Sequence, residues 1–284
     1  MIKRIIKNII RQSYILKAPF IFFYKLTGRK PWSAGYSFYK YAFVKDIISH
    51  HLDFFGKGAL PQGYGTGLDE RAVEYPWVFS RIKKEERVIL DAGSSLNHRD
   101  ILSLSCLQER TVYLTTLFYE GQCKSRGNVI YQYEDLRELS FSDDYFDAVI
   151  CISTLEHVGM DNTYYSGTDE QKREDAPSAY LQAIQELKRV LRKGGSLYLT
   201  VPYGAYQHHQ WFQIFDAEMI GRLKKEFLPA QVSETYFKYE NKQWNYSDEA
   251  SCKKGYYFDI HKERQLSQDH LAAAQSVVCL ELKK

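Results

Sequence analysis

The first 45 residues contain no carboxylate: ten Lys or Arg precede Asp46, the first acid in the chain. The net charge of +3 hides this asymmetry, because the remainder holds 28 basic residues against 35 acidic ones, net −7. A body that acidic repels a phosphate backbone over most of its surface, which argues against a nucleic-acid partner. Cysteine is sparse. Cys106, Cys123, Cys151, Cys252 and Cys279 are an odd number, widely spaced and without a C-x-x-C pair, so neither a zinc site nor a disulfide framework is indicated. Such usage fits a reducing cytoplasm. Only seven prolines occur in 284 residues, against the composition of a disordered chain. Long apolar runs are missing too. The stretch Ala18–Tyr24 is seven residues between Lys17 and Lys25, far below the roughly 20 needed to cross a bilayer. The N-terminus lacks the apolar run and small-residue cleavage site of a secretory signal. The glycine-rich stretch Gly63-Tyr64-Gly65-Thr66-Gly67 has no strand before it and no Lys-Ser/Thr after it, so it reads as a turn and not a phosphate loop.

What is present falls into three stretches. Residues 1–30 read as a basic amphipathic segment: at 100° per residue Ile2, Ile5, Ile6, Ile9 and Ile10 share one arc, opposite Lys3, Arg4, Lys7 and Arg11. Residues 31–80 form an extension of short helical patterns and loops, with a helix expected from Asp69 to Ile82. From 81 to 284 elements alternate. Strands are predicted at Val88–Ala92, Val112–Thr115, Val129–Gln132, Ala148–Ser153 and Ser196–Val201, and helices near His98–Gln108, Pro177–Arg192 and Asp216–Phe227. Repeated strand–helix–strand order implies an α/β, doubly wound, mostly parallel sheet. Two later strand-like runs, Val232–Tyr239 and Ser276–Leu282, are expected to form an antiparallel pair closing it.

Four segments carry chemistry. Arg87-Val88-Ile89-Leu90-Asp91-Ala92-Gly93-Ser94-Ser95-Leu96-Asn97 is an apolar strand that ends in Asp-x-Gly and passes through small residues, which a tight turn near a ligand requires. Glu134-Asp135-Leu136, before Phe141–Ile150, places an acid after the third strand. Ile152-Ser153-Thr154-Leu155-Glu156-His157-Val158-Gly159 ends the fourth strand. In Leu187–Pro202 a helix meets the pair Gly194-Gly195 and a strand follows. No G-x-G-x-x-G follows the first strand, which disfavours a nicotinamide enzyme.

In this order and spacing, the four segments resemble the class I S-adenosylmethionine-dependent methyltransferases over Arg87–Pro202. Asp69-Glu70-Arg71 and Glu74-Tyr75-Pro76-Trp77 resemble, more narrowly, methyltransferases of bacterial surface-polysaccharide gene clusters. The resemblance implies a seven-stranded Rossmann-like sheet, S-adenosylmethionine as cofactor, and a cofactor site at Asp91, Gly93, Ser94, Ser95, Thr116, Asp135, Leu136 and Ser153. The chain departs from the family at Ser95, where a second glycine is usual, and at Leu114-Thr115-Thr116, where an acid for the ribose is usual. Either Thr116 or Glu120 substitutes there, or the cofactor is held weakly. His157 and His208 are candidate general bases for a hydroxyl acceptor; a metal on His208 and His209 lacks a third ligand. The expected function is O-methylation of a glycan or lipid-linked saccharide at the cytoplasmic membrane face, with attachment to anionic lipid through residues 1–30. A small-molecule methyltransferase and a catalytically silent binding or scaffold relative stand as alternatives.

Overall fold

The computed structural model describes residues 14–118, 127–166, 170 and 173–284. The predicted helix over the isoleucine stripe, Glu120 and Cys123 lie outside them. Three N-terminal helices come first: α1 (Tyr14–Leu26), α2 (Tyr36–His50) and α3 (Arg71–Phe79). The strands are β1 (Val88–Ala92), β2 (Thr111–Thr116), β3 (Val129–Tyr133), β4 (Phe146–Ile152), β5 (Leu191–Pro202), the short pair β6 (Gln207–His208) and β7 (Gln213–Ile214), then β8 (Gln231–Glu240), β9 (Gln243–Ser247) and β10 (Ser276–Lys283). Between them lie α4 (Arg99–Leu102), α5 (Ser105–Gln108), α6 (Thr163–Ser166), α7 (Tyr180–Val190) and α8 (Ala217–Phe227).

The main sheet has eight strands in the order β3-β2-β1-β4-β5-β10-β8-β9. β1 to β5 are parallel, β10 runs antiparallel between β5 and β8, and β9 folds back antiparallel on β8. The expected antiparallel pair is therefore present, while the expected count of seven is one short because β9 adds an outer edge. Strand order reverses between β1 and β4, and in such sheets the ligand crevice opens outside the carboxyl ends at that point.

Both faces of the sheet are covered, and β1 and β4 are accordingly mostly apolar. On one face α7 buries Tyr180, Ala183, Ile184, Leu187 and Val190, a helical stripe, and α8 packs beside it. Asp216 caps α8 by accepting from the Met219 N–H at 2.9 Å. On the other face α2 and α3 share one core with Ile89, Val112, Ile150 and Cys279. α3 is buried on all sides from Ala72 to Phe79, so its one carboxylate, Glu74, has to find partners inside the protein.

Several predicted boundaries move. The helix expected over His98–Gln108 splits into α4 and α5, because Leu104 is extended (ψ 134°). α7 stops at Val190, short of the glycine pair. Gly194 and Gly195 instead lie within β5, where a Cβ at Gly195 would sit 2.7 Å from the Asp147 carbonyl. Gly63, Gly65 and Gly67 all have positive φ, and a Cβ at Gly67 would lie 2.2 Å from the Arg29 carbonyl oxygen. That stretch is a turn packed against α1's exit.

Candidate active site

The turn after β1 is braced from within. Asp91 is fully buried; its Oδ1 accepts from the Ser95 hydroxyl (2.7 Å) and N–H (3.2 Å), and its Oδ2 from the Leu96 N–H (2.7 Å). Charge-assisted bonds of this kind offset the burial of a carboxylate. Gly93 has φ 109° and Ser94 φ 60°. A Cβ at Gly93 would meet the Thr154 side chain at 2.2 Å, so this glycine lets the turns after β1 and β4 touch. The Tyr75 hydroxyl, on α3, donates to the Ser95 carbonyl.

At the ends of β2 and β3 the residues are polar but differently engaged. Thr116 is nearly buried, with its hydroxyl in contact with Phe118 N and O. Asp135 accepts from the Arg137 guanidinium at 2.6 and 2.9 Å, and that guanidinium also holds Glu174 at 2.5 Å. Leu136 beside it is buried. Gln132 Oε1, near the end of β3, is buried and accepts from none of the described residues.

The end of β4 faces α3. Ser153 adopts φ 39°, and its hydroxyl donates to Glu74 Oε1 at 2.7 Å. Thr200 of β5 donates to the same oxygen at 2.8 Å, while the other Glu74 oxygen pairs with Arg71. The next acid along, Glu70, accepts from the Ala274 N–H at 3.3 Å; burial, with Asp69 close by, pushes its carboxyl up to about 7. Asp69 itself pairs with Lys40 at 2.5 Å. Glu156, in the 3-10 turn Leu155–His157 that leaves β4, is 2% exposed and lies within the electrostatic reach of Arg71, Glu74 and Glu70. Burial drives its carboxyl well above the usual range.

His157 lies on that same turn. Its Nδ1 is 2.8 Å from the Trp211 carbonyl, which only accepts, so Nδ1 carries the proton and Nε2 the lone pair. The rings of Trp211, Tyr165 and Phe212 stand 5.3, 5.6 and 6.0 Å away. Burial lowers its pKa to about 4, so the imidazole is neutral. His208 is elsewhere: it is exposed on β6 and bonds Asp175 at 3.1 Å. His209 stacks on Phe212 at 4.5 Å, and Phe212 in turn lies 4.6 Å from Tyr257.

Residues 115–199 match the family described as a methyltransferase domain. Among solved structures the chain is similar to an S-adenosylmethionine-dependent methyltransferase of Archaeoglobus fulgidus, at 15% identity over 70% of this chain and 87% of that one, TM-score 0.44. It is also similar to the 1,6-didemethyltoxoflavin N1-methyltransferase of Burkholderia thailandensis, at 14% identity over 89% and 92%, TM-score 0.44. No curated protein matches.

The residues at the carboxyl ends are compatible with the S-adenosylmethionine that the sequence resemblance implies. An unsatisfied buried acceptor, Gln132 Oε1, is what amino or hydroxyl donors of an adenosine would satisfy, and hydroxyls stand at Ser94, Ser95 and Thr116. Sequence reasoning quoted Arg71, Glu74 and Glu156 without giving them a role. One signal was available: Glu74 is the single charge in Ala72–Phe79, an otherwise apolar helix.

Proposed function

We propose that this protein is an S-adenosylmethionine-dependent O-methyltransferase of a glycan or lipid-linked saccharide, working against the cytoplasmic face of a membrane. The observation that carries the location is α1. It turns Lys17 and Tyr24 inward, where Lys17 pairs with Asp100 at 2.8 Å. Outward it presents Leu16, Phe20, Phe22, Phe23 and Leu26, with Phe22 64% and Leu26 69% exposed. An apolar face turned to solvent, inside a stretch with ten basic residues and no acid, suits the interface of an anionic bilayer. Among the described residues no helix is long and apolar enough to cross a membrane.

Bound S-adenosylmethionine supplies a methyl group on a cationic sulfur, open to in-line attack. In this reading Asp91 fixes the turn so that Gly93, Ser94 and Ser95 border the cofactor. Thr116, Asp135, Leu136 and Ser153 line the rest of its site. His157 is held by Trp211 in the tautomer that offers Nε2 to an acceptor hydroxyl. That hydroxyl becomes strongly acidic as its oxygen takes the methyl group, so even a weakly basic imidazole can remove its proton. Holding the two reactants in line supplies most of the acceleration. His208, exposed and paired with Asp175, has no part in this assignment.

The test is radiolabelled methyl transfer from S-adenosylmethionine to a lipid-linked oligosaccharide fraction, together with flotation of the full chain on vesicles of about 30% anionic lipid. Label in the oligosaccharide and salt-sensitive flotation are expected. Label confined to diffusible metabolites, with no flotation, would overturn both the acceptor and the location.

A further inference from the structure

Glu156 is an anomaly unless something binds it. The residue is 2% exposed, and Oε2 has no hydrogen-bond partner among the described residues. A buried carboxyl oxygen left this way costs the protein stability, and Arg71 is tied through Glu74 to Ser153 at the end of the same strand. Arg71 spends one amino group on Glu74 and keeps 24% of its side chain exposed. Its Nε and its second amino group bond none of the described residues. An orphaned acceptor oxygen thus lies just past β4, one residue from His157, and a guanidinium with two groups open to a ligand is anchored to the same strand end.

We propose that Glu156 and Arg71 form the acceptor subsite, Glu156 accepting from one hydroxyl of a saccharide and Arg71 donating to a neighbouring ring substituent. The assignment rests on the saccharide reading above and deepens it. A sugar hydroxyl both donates and accepts, so a vicinal pair satisfies a carboxyl and a guanidinium together. A simple amine would satisfy only the carboxyl, and a phosphate only the guanidinium. Arg71, 24% exposed, forms the open side of the subsite. Tyr257, within the electrostatic reach of Arg71 and 4.6 Å from Phe212, adds an aromatic surface for the apolar face of a sugar ring. Glu74 positions Arg71 from behind.

The experiment uses the full chain saturated with S-adenosylhomocysteine, with methyl α-mannopyranoside, methyl α-galactopyranoside and methyl β-glucopyranoside as probes and tetrahydropyran as the hydroxyl-free control. Binding is followed by saturation-transfer NMR. At least one glycoside is expected to bind the wild type, about 10- to 100-fold more weakly to Glu156→Leu and to an intermediate degree to Glu156→Gln, with unchanged affinity for S-adenosylhomocysteine. Removing an unpartnered acid should also leave the melting temperature of Glu156→Leu equal or higher. Equal glycoside binding by wild type and Glu156→Leu overturns the subsite while sparing the saccharide reading. No glycoside binding to a protein that still binds S-adenosylhomocysteine overturns both. A lower melting temperature in Glu156→Leu identifies the carboxyl as structural and likewise rejects the proposal.

Discussion

Replacing Glu74 with leucine removes the joint between α3 and the ends of β4 and β5. One oxygen holds the hydroxyls of Ser153 and Thr200 at 2.7 and 2.8 Å, and the other pairs with Arg71. Each hydrogen bond to a buried charge contributes about 1.5–3 kcal/mol net. The Arg71 bond counts for less, because that side chain reaches solvent and can hydrate. Leucine recovers about 2 kcal/mol by apolar burial. The balance is a loss of about 2–4 kcal/mol. For a chain of this size that lowers the melting temperature by roughly 4–12 °C. Glu74→Gln keeps an acceptor for both hydroxyls but sets an amide N–H against Arg71, and should lose about half as much. Thermal unfolding followed by circular dichroism reads this directly, and calorimetry with S-adenosylhomocysteine reports whether Ser153 has moved. If Glu74→Leu unfolds within about 1 kcal/mol of wild type, the network does not hold the site and the reasoning fails.

Gly93→Ala puts a methyl group 2.2 Å from Thr154 at φ 109°, so unfolding should be easier by about 2 kcal/mol or more. A Thr154→Gly second change should recover only the contact part, and full recovery would show that φ does not matter there. His157 binds its proton near pH 4 when folded and near 6.5 when unfolded. The unfolded chain therefore takes the proton first, and stability present above pH 6.5 is lost as pH falls toward 4, on the order of 3 kcal/mol. His157→Gln should flatten that limb of a stability–pH curve; an unchanged limb refutes the buried neutral imidazole. Phe22→Ser/Phe23→Ser/Leu26→Ser should cut flotation on anionic vesicles at least about tenfold without changing the melting temperature, and equal flotation would remove α1 from the membrane account.

The sheet was legible because β1, β2, β4 and β5 are runs of apolar residues, the mark of strands covered on both faces. β9 was not, since Gln243-Trp244-Asn245-Tyr246-Ser247 offers only two apolar positions. Its burial comes from distant partners, with Trp244 donating to the Leu68 carbonyl at 3.0 Å. The break at Leu104 was hidden too, because apolar spacing over His98–Gln108 suits one helix as well as two. The turns after β1, β3 and β4 could be anticipated from local motifs, each written within a few residues of one strand end. The network that joins α3 to those turns could not. Glu74 meets Ser153 and Thr200 across 79 and 126 residues, and nothing in a linear pattern says that an acid in an apolar helix will face two hydroxyls. Gly93 adds a contact that no motif announces, since a Cβ there would meet the Thr154 side chain at 2.2 Å.

The central claim is that the crevice at the carboxyl ends of β1, β2 and β4 binds S-adenosylmethionine. Isothermal calorimetry of the full chain with S-adenosylhomocysteine tests it most directly. Saturable binding at one site per chain is the predicted result. Absence of any binding heat across several temperatures, from protein shown to be folded, would contradict the account.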